Sequence, residues 1–82
     1  MLEPRNLPID AIYVPAKRKR TLEPDKVDEI AESMLEEGQQ IPIRVRKDGD
    51  RFVLIEGLHR LEALKALGEE TVVGYLVQAR IR

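Results

Sequence analysis

The sequence predicts an α+β domain: a small mixed sheet with two main helices, in the order β-α-β-β-α-β. Three observations predict it. Val27, Ile30, Ala31, Met34 and Leu35 form an apolar stripe at helical spacing. Ile41, Ile43 and Val45 alternate with Pro42, Arg44 and Arg46, and the turn pair Asp48-Gly49 follows. Gly57 separates an apolar run ending at Ile55 from a segment rich in leucine and alanine.

The elements follow in chain order. Residues 7–14 read as a first strand with weak alternation; Pro8, which cannot donate to a ladder, suits an edge or a strand start, and Pro15 closes it. Lys17-Arg18-Lys19-Arg20 is the one dense charge run, placed on a loop because no apolar periodicity passes through it. Residues 24–37 form the clearest helix. Pro24 suits its first turn, Asp25, Asp28 and Glu29 lie toward the positive end of its dipole, and Gly38 stops it. The strand over 41–46 and a returning strand over 51–55 make a β-hairpin around Asp48-Gly49. Residues 58–67 form a second helix, with Leu58, Leu61 and Leu64 three apart, ended by Gly68. Thr71 to Val77 is a last strand that Gln78 to Arg82 extend, with Gly74 marking a bulge or a close backbone approach. The expected core is Val27, Ile30, Ala31, Met34, Ile43, Leu61 and Leu64, with Leu35 completing the stripe. A long apolar last strand at a sheet edge would favour pairing with a second copy, so a homodimer is an expected partner state.

Composition narrows the functions. The 82 residues suffice for one domain over 1–82. With 43% hydrophobic and 35% charged residues the chain suits a globule rather than a disordered tail. Its 14 basic and 15 acidic side chains give a net charge of −1, which argues against coating nucleic acid by bulk charge. There is no cysteine, which removes disulfides, thiolate metal sites and cysteine nucleophiles, and a single histidine removes a His-rich metal site. No protein metal site is expected. Mg²⁺ accompanying a nucleotide stays open, because it binds through oxygens and substrate phosphates. No apolar run approaches the roughly 18 residues of a membrane span. The N-terminus lacks a signal-peptide pattern, so the chain reads as cytoplasmic by default.

The strongest candidate site is Glu56-Gly57-Leu58-His59-Arg60. A strand, a glycine and a helix start leave backbone N–H groups unpaired at the positive end of a dipole, which makes an anion site. Gly57 permits close approach of a phosphate, and Leu58 lies on the turn. His59 and Arg60 are cationic candidates where cations are ordinarily unfavourable, and a guanidinium fork suits phosphate. The plainer reading is a turn glycine, a structural histidine, and an Arg60 paired with Glu56 or Glu62. Glu56 is the candidate catalytic base. Arg18 and Arg20 are further phosphate candidates, with Lys17, Lys19 and Arg44 as a possible basic rim; the plainer reading is a solvated surface, favoured for Arg46.

The stretch from Val27 to Tyr75 resembles the ParB/sulfiredoxin superfamily. The helix from Val27 to Met34, then Glu37-Gly38, then Ile41-Pro42-Ile43-Arg44-Val45-Arg46 is similar to the ParB N-terminal pattern. Phe52 through Ala63 resembles the strand-to-helix signature that follows it. In that superfamily the glycine-led turn binds nucleotide phosphates, CTP in ParB proteins and ATP in sulfiredoxins. The resemblance carries this role onto Gly57, His59 and Arg60, and the loop after the first strand onto Arg18 and Arg20. It also implies DNA binding and chromosome or plasmid partitioning as family themes. ParB proteins typically read Gly-Glu-Arg-Arg at this turn, so Leu58 replaces the acidic residue linked to hydrolysis and His59 replaces an arginine. Sulfiredoxins read Gly-Cys-His-Arg, so Leu58 stands where their catalytic cysteine would be, and sulfinic-acid reduction by that mechanism is excluded. The expectation is a module that binds CTP, ATP or ADP and hydrolyses it slowly or not at all. The alternatives are a nonspecific nucleic-acid-binding or nuclease-like domain acting through Lys17 to Arg20, a small-molecule kinase, and a pure interaction domain. Sequence-specific DNA reading is not expected, since both helices are committed to the core.

Overall fold

The computed structural model describes residues 3–39 and 41–78. The elements are β1 (Arg5–Pro8), a 3-10 turn (Ile9–Ala11), β2 (Ile12–Tyr13), α1 (Ala16–Lys19), α2 (Pro24–Glu37), β3 (Ile43–Asp48), β4 (Arg51–Glu56), α3 (Leu58–Ala66) and β5 (Thr71–Leu76). The five strands form one mixed sheet in the order β1-β5-β3-β4-β2. β1/β5 and β3/β4 are antiparallel, whereas β3/β5 and β2/β4 are parallel. The fold is α+β, as its sequence pattern predicts.

The first segment departs from a single strand. Leu7, Ile9, Ile12 and Val14 are all buried. Their spacing changes from two to three and back to two, because the 3-10 turn inserts one residue of phase. The chain leaves one sheet edge as β1 and joins the other as β2. Four residue steps from Pro8 to Ile12 reach at most about 14 Å. The outer strands of a flat five-stranded sheet lie roughly 19 Å apart, so this sheet must coil to bring its edges together. Ile9 and Ile12 both join the core, and the Ile9 N–H donates to Glu70 O at 3.0 Å.

The charge run is helical, not a loop. Pro15 supplies the carbonyl that accepts from the N–H groups of Arg18 and Lys19, at 2.9 and 3.2 Å. Ala, Lys and Arg are good helix formers, and a one-turn helix is too short to show an apolar period. Thr21 ends the turn, donating from both its N–H and its Oγ1 to Arg18 O, at 3.0 and 2.7 Å.

The core centres on α3 rather than α2. Ile43, Val45, Leu54, Leu61 and Val72 are the large side chains most fully removed from water. Leu58 and Leu64 join them from α3. α3 packs on β3 and β5, and α2 packs chiefly on α3. Of the expected core, Ile43, Leu61 and Leu64 are central and Met34 packs at the border. Val27, Ile30 and Ala31 are only half-buried, and Leu35 is 73% exposed. A helix resting on another helix covers a narrow seam, not the broad stripe that the spacing suggested. Ile41 is likewise exposed, because β3 starts two residues later.

β5 is an inner strand, hydrogen-bonded by β1 on one side and β3 on the other. The expected pairing of a second copy on its edge therefore loses its basis. Gly74 marks a close approach: an added Cβ would lie 2.9 Å from Leu7 Cδ1 and 3.0 Å from Ile43 Cγ1. The strand ends at Leu76, and the expected extension through residues 79–82 lies outside the described residues. Beyond the start of β3, the Gln39 side-chain amide continues its ladder, accepting from Val73 N–H and donating to Val73 O, both at 2.8 Å. No helix of the described residues is long and apolar enough to cross a membrane.

Candidate functional site

β4 ends at Glu56, Gly57 turns the chain with φ 111°, and α3 begins at Leu58. Glycine is needed at 57 for conformation and for space. An added Cβ would lie 2.6 Å from Ile43 Cγ2, closer than real Cβ contacts allow. The first backbone bond of the helix runs from Leu61 N–H to Gly57 O at 3.0 Å. The N–H groups of Leu58, His59 and Arg60 thus precede the helical pattern, and no side chain caps them. The first turn carries no acidic residue.

The predicted side chains separate into different jobs. Leu58 is buried in the core, so only its backbone faces the turn. Glu56 is exposed and pairs with Arg44, Nε to Oε1 at 3.5 Å. Glu62 pairs with Lys65 at 3.3 Å. The pairings suggested for Arg60 are therefore not made, and its guanidinium forms no hydrogen bond or ion pair among the described residues. Arg60 instead lines a cleft of about 190 Å³ with Ile30, Ser33, Met34, Gly38 and Ile41. His59 Nε2 accepts the backbone N–H of Glu23 at 3.0 Å, which ties the start of α3 to the start of α2. In this bond Nε2 acts through its lone pair, as the acceptor nitrogen of the ring. Lys17, Arg18, Lys19 and Arg20 are all exposed on α1 and the turn after it.

A larger cavity, about 460 Å³, lies at the β2 edge between Asp10, Tyr13, Asp48, Asp50 and Arg51. Its charge is wrong for a phosphate: three carboxylates line it, and its arginine is engaged by Asp48 at 3.1 Å and stacked on the Tyr13 ring at 4.1 Å. Among the described residues no group of three or more His, Asp or Glu side chains is placed to hold a metal ion. Sequence reasoning missed the contribution of Ser33, Gly38 and Ile41 to the cleft. Gly38 read as a helix stop and Ile41 as part of the apolar face of a strand; the available signal was that Ile30, Ser33 and Met34 share one helical face.

A family model of the ParB N-terminal domain matches residues 2–82. The probable chromosome-partitioning protein ParB of Campylobacter jejuni is 36% identical over 62 residues, which are 76% of this chain and 22% of that protein. The chloroplastic/mitochondrial sulfiredoxin of Arabidopsis thaliana is 35% identical over 66 residues, 80% of this chain and 53% of that one. The chain thus spans about a fifth to a half of these relatives' lengths. The crystal structure of Arabidopsis thaliana sulfiredoxin matches with a TM-score of 0.84 at 30% identity, covering 94% of this chain and 86% of that one. The C-terminally truncated ParB of Caulobacter crescentus, complexed with CTP-gamma-S, shares the fold with a TM-score of 0.77 at 23% identity, covering 98% and 46%. A match from residue 2 to residue 82 makes this chain a member of the ParB N-terminal domain family.

Proposed function

We propose that this domain binds the phosphates of a nucleotide at the Gly57 turn. One observation carries the reading: three N–H groups at the start of α3 lack helical acceptors, on the same turn as Arg60, whose guanidinium has no hydrogen bond or ion pair among the described residues. Donors, dipole and charge then converge on one anion. The neighbouring cleft, apolar apart from Ser33 and Arg60, suits the rest of such a ligand. The Caulobacter crescentus relative in complex with CTP-gamma-S supports this choice of ligand class. Turnover is expected to be slow or absent. Leu58 has no group to orient a water or take its proton, and Glu56 is held by Arg44. Mg²⁺ would enter with the phosphates, through their oxygens. Titration of the purified chain with CTP, ATP, ADP and GTP, with and without Mg²⁺, tests the reading. Saturable heat with at least one nucleotide is expected, and none with any would reject it.

A second reading rests on α1. Four consecutive exposed cations, Lys17 to Arg20, form no ion pair among the described residues and would contact nucleic-acid phosphates without reading sequence. Binding of that kind weakens steeply as salt rises.

A further inference from the structure

We propose that His59 is a positioning residue: its Nε2 acts as an acceptor that pins the basic segment Lys17–Arg20 to the phosphate turn, rather than as a cation on the phosphate. The inference rests on the phosphate reading above and gives it a second part. Glu23 is the residue before α2, and its carbonyl already accepts from Lys26 and Val27 at 3.0 and 3.2 Å. Its N–H has no helical acceptor and goes to His59 Nε2 at 3.0 Å. Arg20 lies three residues earlier, within about 11 Å along the chain. The intervening turn is closed by Leu22 N–H on Lys19 O at 3.3 Å and by the two bonds of Thr21 to Arg18 O. One imidazole therefore fixes the end of a compact basic turn against the first turn of α3. Its acceptor use also explains how a histidine fits at the positive end of a helix dipole, where an imidazolium would be unfavourable.

Three variants separate acceptor from cation. His59→Gln places Oε1 as many bonds from Cβ as Nε2 and keeps an uncharged acceptor. His59→Arg offers a cation and no acceptor, and His59→Ala offers neither. Amide exchange by NMR and ADP titration are read on the intact chain. The Glu23 amide is expected to be protected in the parent and in His59→Gln, and to exchange about tenfold faster or more in the other two. ADP affinity should stay within about threefold in His59→Gln and fall roughly five- to tenfold in His59→Arg despite its added charge. Should His59→Ala fail to fold, the Gln and Arg variants carry the comparison. Retained affinity in His59→Arg with loss in His59→Gln would overturn the proposal while leaving the phosphate site standing. Equal Glu23 exchange in all variants would also overturn it. A parent chain that takes none of CTP, ATP, ADP or GTP rejects the phosphate reading instead, and the exchange data then decide the tether alone.

Discussion

The two long helices begin in opposite ways. α2, which no side chain caps either, starts with fewer needs to meet. Pro24 has no N–H to leave unpaired, Asp25 sits in the first turn, and the Glu23 N–H is taken by His59. α3 starts with a left-handed glycine, no capping side chain and no acidic residue in its first turn, and Arg60, two positions in, makes no hydrogen bond or ion pair among the described residues. The first arrangement neutralises a helix dipole, and the second leaves it for something from outside. The helices also differ in depth. α3 contributes Leu58, Leu61, Ala63 and Leu64 to the interior, whereas no residue of α2 is buried. The open helix start is thus mounted on the best-packed helix of the domain, where the geometry of its N–H groups is held by the core.

That contrast can be broken at several points. The largest effect is expected from Gly57→Val, which forces a branched side chain into left-handed backbone and into Ile43. A stability loss of about 2–5 kcal/mol is expected in urea melts, with loss of nucleotide binding. Leu61→Ala removes a side chain with 0% exposure beneath the same turn and should cost roughly 2–5 kcal/mol. Arg60→Ala should weaken nucleotide binding by about 1.5–3 kcal/mol, or roughly ten- to a hundredfold by calorimetry. Its stability should move by less than about 0.5 kcal/mol, since the side chain is not in the core. At the small end stands Leu35→Ala on α2. With 73% of Leu35 exposed, its unfolding midpoint should barely shift, within about 0.5 kcal/mol. A loss comparable to that of Leu61→Ala would show that α2 is covered by something further.

Much of this was legible in the residues. The Ile43–Val45 alternation and Asp48-Gly49 located the hairpin, because period and turn chemistry agree there. Pro24 and Gly38 bounded α2, and Gly57 marked the strand-to-helix turn. The failures share a cause: periodicity reports a face and not what covers it. It cannot say that α2 rests on another helix, which leaves Leu35 bare, or that β1 covers β5, which removes the edge proposed for a second copy. A one-turn helix such as α1 has no period to find. His59 and Gln39 escaped for another reason, since each bonds to backbone more than thirty residues away in sequence. Backbone punctuation marked the candidate turn on the chain, but only the folded chain assigned Leu58 to the core, Glu56 to Arg44 and Arg60 to the cleft.

The contrast between the two helix starts is tested most directly by ¹⁵N NMR of the chain during nucleotide titration. The account predicts that the amides of Leu58, His59 and Arg60 shift most and saturate together, while those of Asp25 and Lys26 at the start of α2 stay near their free positions. Saturable shifts centred on the start of α2, or on the Asp48–Asp50 cavity with residues 58–60 unmoved, would contradict it.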